Sequence, residues 1–193
     1  MAQMYYDLNQ KQEALKSFEN TLETLKDGVK CAGTQCEELR KRARQFVVNW
    51  HQQEKKKVTE DLARAYQLYT SAFPQDIDAH IYSSQVAEGL SKDLEAWKAL
   101  QPAINLLASS KDSEKLESML LKQLELGESS KDEATHLAAM ELYLAKSTKR
   151  TKTYEVQYQK TKKAYDANNY KLASQEFKKL ALDKAGSAQL RKQ

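Results

Sequence analysis

The stretch VAEGLSKDLEAWKALQPAI, residues 86–104, decides the fold. It reads as the end of one helix, a polar turn over 89–92, and a small residue, Ala96, that opens the apolar face of a second helix continued four residues on by Leu100. Three further stretches share the layout: YYDLNQKQEALKSFENTL (5–22), LELGESSKDEATHLAAMEL (124–142) and AYDANNYKLASQEFKKLAL (164–182). The small residue is Ala14, Ala134 and Ala173 in turn, with Phe18, Ala138 and Phe177 four positions later. A weaker copy places Leu62 and Tyr66 in the same roles. From Leu62 the steps to Ala96, Ala134 and Ala173 are 34, 38 and 39 residues, the period of a two-helix unit that buries its apolar faces only by stacking on its neighbours.

Outward from these copies, apolar residues recur at three and four, as in Leu15, Phe18, Leu22 and Leu25, the spacing of an amphipathic helix. Only 5 Gly and 2 Pro interrupt the 193 residues, so long helices joined by short turns are expected. The sharpest break is Phe73-Pro74-Gln75-Asp76, because proline cannot continue a helix and drives the residue before it toward extended geometry. Candidate strands at 46–50 and 77–82 are short, isolated and flanked by charged helical sequence, and are discounted. The fold expected is all-α, a single repeat domain over 1–193 with about four to five helical hairpins. Their bounds are 1–28 (a truncated unit), 34–76, 77–110, 114–148 and 154–187. Pro102 falls inside a helix and removes a backbone hydrogen bond, so a bend or restart is expected near 100–103.

This layout resembles the tetratricopeptide repeat (TPR) family. The likeness is strongest over 5–18, where Tyr, Leu, a polar turn, Ala and Phe stand in family order, and over 62–96, where Pro74 closes a unit. Ala87, Ala96, Ala164 and Ala173 suit the places that the family keeps small where its helices touch. His80, Ser118 and Gln157 stand where the family carries a large aromatic. The resemblance implies an α-solenoid of stacked antiparallel helix pairs in a right-handed superhelix. It also implies a concave groove, lined by the first helix of each pair, that receives a peptide or partner helix. Carried over position by position, Tyr6, His51, Gln85, Glu88, Gln123, Tyr158, Lys162 and Tyr165 are expected to face it. That groove is mixed in charge, so recognition of carboxylate tails is not expected.

Catalytic chemistry has little to build on. His51, His80 and His136 are the only histidines, and none has a Cys, His or carboxylate at the spacing of a nucleophile pair or a metal site. The five glycines are scattered and form no phosphate-binding loop. No enzyme activity, cofactor or metal is expected. Acidic pairs such as Glu37-Glu38 and Glu60-Asp61 lie at helix starts, where they offset the helix dipole. Cys31 and Cys36, five apart around AGTQ, fit either a loop disulfide or two reduced thiols, so the compartment stays open between the two.

The 31 basic and 27 acidic residues leave a net charge of +4, small for this length and interspersed, against the large clustered charge of an obligate nucleic-acid binder. Three basic runs still carry a rival reading: Arg40-Lys41-Arg42 with Arg44, Lys55-Lys56-Lys57, and Lys149-Arg150 with Lys152. Beside Trp50, Tyr154 and Tyr158 they offer phosphate contacts and stacking aromatics. Ten tyrosines against four phenylalanines favour a protein-binding surface, since tyrosine joins a large contact area to a polar tip. The expected function is a non-catalytic scaffold for a protein or peptide. The alternatives are a basic α-solenoid on nucleic acid and a self-assembling module, because a truncated first unit exposes an apolar edge and opens a route to homo-oligomers. No run reaches the roughly 18 apolar residues of a membrane span, and a soluble chain is expected. Because the first hairpin opens mid-helix, a fragment of a longer protein is expected, cytoplasmic, or periplasmic if an upstream signal has been removed.

Overall fold

The computed structural model describes residues 1–26, 34–54, 57–110 and 112–182. Among the described residues ten helices run in chain order: α1 (Ala2–Asp7), α2 (Lys11–Lys26), α3 (Thr34–Gln53), α4 (Glu60–Ala72), α5 (Ile77–Gly89), α6 (Asp93–Ala108), α7 (Ser113–Ser129), α8 (Glu133–Lys146), α9 (Thr153–Asp166) and α10 (Tyr170–Leu182). There is no strand among the described residues. Neighbours in sequence pack as pairs, α1 on α2, α3 on α4, α5 on α6, α7 on α8 and α9 on α10, so the described chain is a run of helical hairpins. The packing forms two compact units, Met1–Ser109 and Ser110–Gln193. Cys31 and the side chain of Cys36 lie outside the described residues, and the disulfide expectation with them.

The hairpin turns repeat one device. Asn9, Ser91 and Asn168 each take positive φ, between 58° and 63°. The residue after each, Gln10, Lys92 and Asn169, donates its N–H back to the carbonyl of Tyr5, Ala87 and Ala164 at 2.9–3.0 Å. Asparagine tolerates the left-handed region because its short side chain bonds locally. Ser91 holds the same conformation without that help.

The α7–α8 hairpin solves the turn differently. Lys131 carries the positive φ (55°), and the Ser130 hydroxyl bridges the gap, accepting from Asp132 N–H at 3.3 Å and donating to the Gly127 carbonyl at 2.9 Å. This shifts the register of α8. Ala134, expected to open the apolar face, is exposed and Ala138 only half-buried, while the buried stripe is Thr135, Ala139, Met140 and Tyr143. Gly127 permits the close crossing: a Cβ there would stand 2.7 Å from Ala139 Cβ.

Pro102 does not restart its helix either. α6 is continuous from Asp93 to Ala108. The carbonyl that loses its partner is that of Lys98, an exposed residue where water can satisfy it.

In unit 1 the core gathers Tyr6, Phe18, Leu22, Phe46, Trp50, Leu62, Tyr66 and Tyr69. Tyr6 packs on Trp50 with ring centroids 5.0 Å apart, and Phe18 on Phe46 at 4.9 Å. Two buried carboxylates fasten the connections. Glu54, at the end of α3, accepts from Lys11 Nζ at 2.5 Å and from Thr59 Oγ1 at 2.6 Å. Asp76 caps α5 by accepting from Ala79 N–H at 3.2 Å and also takes Tyr69 Oη at 2.9 Å and Arg44 Nε at 3.0 Å. Burial alone pushes the Asp76 carboxyl up, but the Tyr69, Ala79 and Arg44 donors outweigh it and hold it below its ordinary value. Burial, reinforced by Asp76, pushes the Tyr69 hydroxyl up to about 12. Asp76→Ala removes a cap and the partner of buried Tyr69 and half-buried Arg44 at once, so a loss of roughly 3 kcal/mol is expected in urea unfolding followed by tryptophan fluorescence. A loss under about 0.5 kcal/mol refutes that role.

Among the described residues of unit 2 there is one such carboxylate, and it has no ionic partner among its hydrogen-bond donors. Glu117, 5% exposed in α7, accepts from Tyr143 Oη at 2.8 Å, Ser147 Oγ at 2.7 Å and Thr151 Oγ1 at 2.7 Å. Tyr143 Oη in turn accepts from Lys152 N–H at 2.9 Å, and Ser147 Oγ from Arg150 N–H at 2.9 Å. One acid thereby orders the whole connection 147–152.

Candidate partner-binding surfaces

Unit 1 presents the facing sides of α3 and α5. His51 Nδ1 lies 2.9 Å from Tyr66 Oη, and its ring meets those of Tyr66 and Tyr82 edge-on at 5.5 and 5.8 Å. Tyr66 is buried, and burial raises its hydroxyl pKa. Tyr82 reaches the surface, with exposed Gln85 and half-buried Glu88 following at three-residue steps on α5. His51, Gln85 and Glu88 therefore stand where a partner can touch them. Tyr6 does not: it is 8% exposed and wedged against Phe46 and Trp50.

In unit 2 a cleft of about 570 Å³ runs between α7 and α9, the first helices of its two hairpins. Leu121, Leu124 and Val156 supply its apolar floor, and Lys122, Glu125, Glu128, Lys152 and Glu155 its charged walls, with His136 beside them. Lys122 pairs with Glu125 at 3.0 Å and Lys152 with Glu155 at 3.8 Å, so the walls are largely self-neutralised. Burial lowers the His136 pKa and the Lys163 ammonium adds to the effect, which keeps the imidazole uncharged at neutral pH.

Gln123, expected in the groove, is fully buried. It stands three residues from both Leu120 and Leu126 in the buried stripe of α7, a periodicity present in the sequence. Tyr158, Lys162 and Tyr165 are exposed on α9, outside the cleft. Tyr158 leans on Phe177 at 5.8 Å, Tyr165 on Tyr170 at 5.2 Å, and Lys162 pairs with Asp166 at 3.6 Å. Leu121 and Leu124 escaped the sequence reading because apolar residues at helical spacing read as core, and only the gap between hairpins leaves them half-buried, with buried Val156 beneath the same cleft.

Several cations of the basic runs pair locally. Arg42 pairs with Glu38 at 3.0 Å, and Arg44 spans Asp76 and Asp78 at 3.0 and 3.2 Å. Lys149 reaches Glu114 at 2.9 Å. Lys55 and Lys56 lie outside the described residues. Among the described residues, no group of three or more His, Cys, Asp or Glu side chains is placed to hold a metal ion, and no helix is long and apolar enough to cross a membrane.

No family model matches the chain, and no curated protein matches it. Among solved structures, a protein described as a kinesin light chain of Podosopora anserina, with nearly identical TPR-like repeats, aligns over 100% of this chain and 93% of its own. The identity is 13% and the TM-score 0.38.

Proposed function

We propose that this chain is a non-catalytic scaffold that receives a peptide or partner helix, and that the α7–α9 cleft is its main seat. The supporting observation is the cleft itself: an apolar floor rimmed by paired charges, roomy enough for several side chains, between the first helices of two adjacent hairpins. The His51–Tyr82–Gln85 face is a second contact surface in unit 1, and the Tyr158–Lys162–Tyr165 face a third in unit 2. Binding of this kind needs no rearrangement, because the hairpins hold the floor residues rigidly and little ordering entropy is lost.

The test is capture of partners on the full chain at low and high salt, repeated with Leu121→Arg and with Tyr158→Ala/Tyr165→Ala. A protein retained at high salt and weakened about 30-fold or more by Leu121→Arg, the effect of one hot-spot residue, is expected. Loss with the tyrosine pair alone moves the seat to the exposed α9 face. Nucleic acid released at high salt, with no protein retained, overturns the reading.

A further inference from the structure

The connection 147–152 between α8 and α9 reads Ser-Thr-Lys-Arg-Thr-Lys, three hydroxyls among three cations. Ser147 is buried, whereas Thr148 and Thr151 are exposed. The two exposed threonines differ in what they hold. No bond of the Thr148 hydroxyl to another group enters the network around Glu117. The Thr151 hydroxyl donates to Glu117 Oε1 at 2.7 Å and lies 3.2 Å from Tyr143 Oη. It joins an exposed, cation-flanked loop directly to a buried carboxylate whose other side-chain donors, Tyr143 and Ser147, are also uncharged.

We infer that Thr151 is a phosphorylation site, chosen by a Ser/Thr kinase that selects basic residues beside its target, and that phosphate there releases the α8–α9 connection from Glu117. In the transfer, Thr151 Oγ1 bonds to the γ-phosphorus of ATP as that phosphorus parts from the β–γ bridging oxygen. The hydroxyl proton passes to the kinase's base, and ADP leaves. The ester oxygen has no proton left to give Glu117, and the new group brings about −1.5 to −2 of charge within reach of a carboxylate with no cation to share. Exposed Arg150 offers the phosphate a partner on the solvent side, and Lys149 and Lys152 do so by exchanging Glu114 and Glu155 for it, so the loop is drawn outward as well as pushed. The bonds from Lys152 N–H to Tyr143 and from Arg150 N–H to Ser147 then lose their support.

The experiment treats the full chain with a basophilic Ser/Thr kinase and Mg·ATP, maps the site by peptide mass spectrometry and follows amide exchange. Phosphate on Thr151 and exchange faster by about tenfold or more at Arg150 and Lys152 are expected. Thr151→Glu should reproduce part of that rise, and Thr148→Glu, a charge in the same loop without the bond to Glu117, should not. No incorporation, incorporation at Thr148 instead of Thr151, or exchange at both amides within about twofold of the unmodified chain each overturns the assignment.

Discussion

Glu117→Ala is expected to lower the unfolding free energy by roughly 3 kcal/mol, read from urea unfolding by circular dichroism, with the fastest new amide exchange over 143–156. The size follows from the network. Three hydroxyls lose a charged acceptor together, each such bond contributing about 1.5–3 kcal/mol, and partial rescue by water and loop relaxation keeps the total below their sum. Glu117→Gln preserves shape and one acceptor oxygen and should lose about half as much. Acid separates the two explanations of that loss. Burial by itself raises the Glu117 carboxyl, but the Ser147, Thr151 and Tyr143 donors outweigh it and hold it below its ordinary 4.5. A depressed folded value means that this stabilisation is complete above the ordinary value and disappears as pH falls through the folded one. The native chain should therefore lose stability below about pH 4.5 more steeply than Glu117→Gln. Parallel acid profiles would show that the carboxylate's charge contributes nothing.

Gly127→Leu should be more damaging still, by at least about 3 kcal/mol, because the crossing of α7 and α8 leaves no volume for it. Even alanine's Cβ would stand 2.7 Å from Ala139 Cβ and 3.4 Å from both His136 Cα and the Thr135 carbonyl oxygen, atoms that cannot swing away. Helix propensity works in the other direction, favouring Gly127→Ala by about 1 kcal/mol in an open helix. Overpacking outweighs it, and a net loss of about 1–2 kcal/mol is expected. Ala139→Gly removes the first of those contacts, so the double substitution should lose less than the sum of the two singles. Additivity would mean that the helices move apart without resistance and that glycine is not required for the crossing.

Much of the architecture was legible in the chain. The turn at 89–92 and the break at 73–76 coincide with observed turns, because each pairs a lapse in apolar periodicity with residues that cap or tolerate a left-handed turn. Ala14, Ala96 and Ala173 are all buried, as their spacing implied. The third copy misled. Its GESSKDEA aligns with GLSKDLEA residue for residue, yet the serine bridge at Ser130 places the left-handed turn at Lys131, and Thr135 takes the buried place intended for Ala134. Side-chain hydroxyls that stand in for backbone bonds leave no periodic trace.

Among the groove residues, the sequence separated helix faces but could not distinguish a face turned to a partner from one turned to a neighbouring helix. Tyr6 and Gln123 lie on helical stripes that are core, and Leu121 and Leu124 on stripes that open into a cleft. The amino-acid sequence by itself determined the helices and their pairing, because periodicity, capping and turn chemistry act over a few residues. Tertiary structure alone decided which polar groups meet. Glu117 with Thr151, Asp76 with Arg44, and His51 with Tyr66 are 34, 32 and 15 residues apart. Such contacts depend on how closely packed helices approach, and a single glycine or serine at the crossing sets that distance.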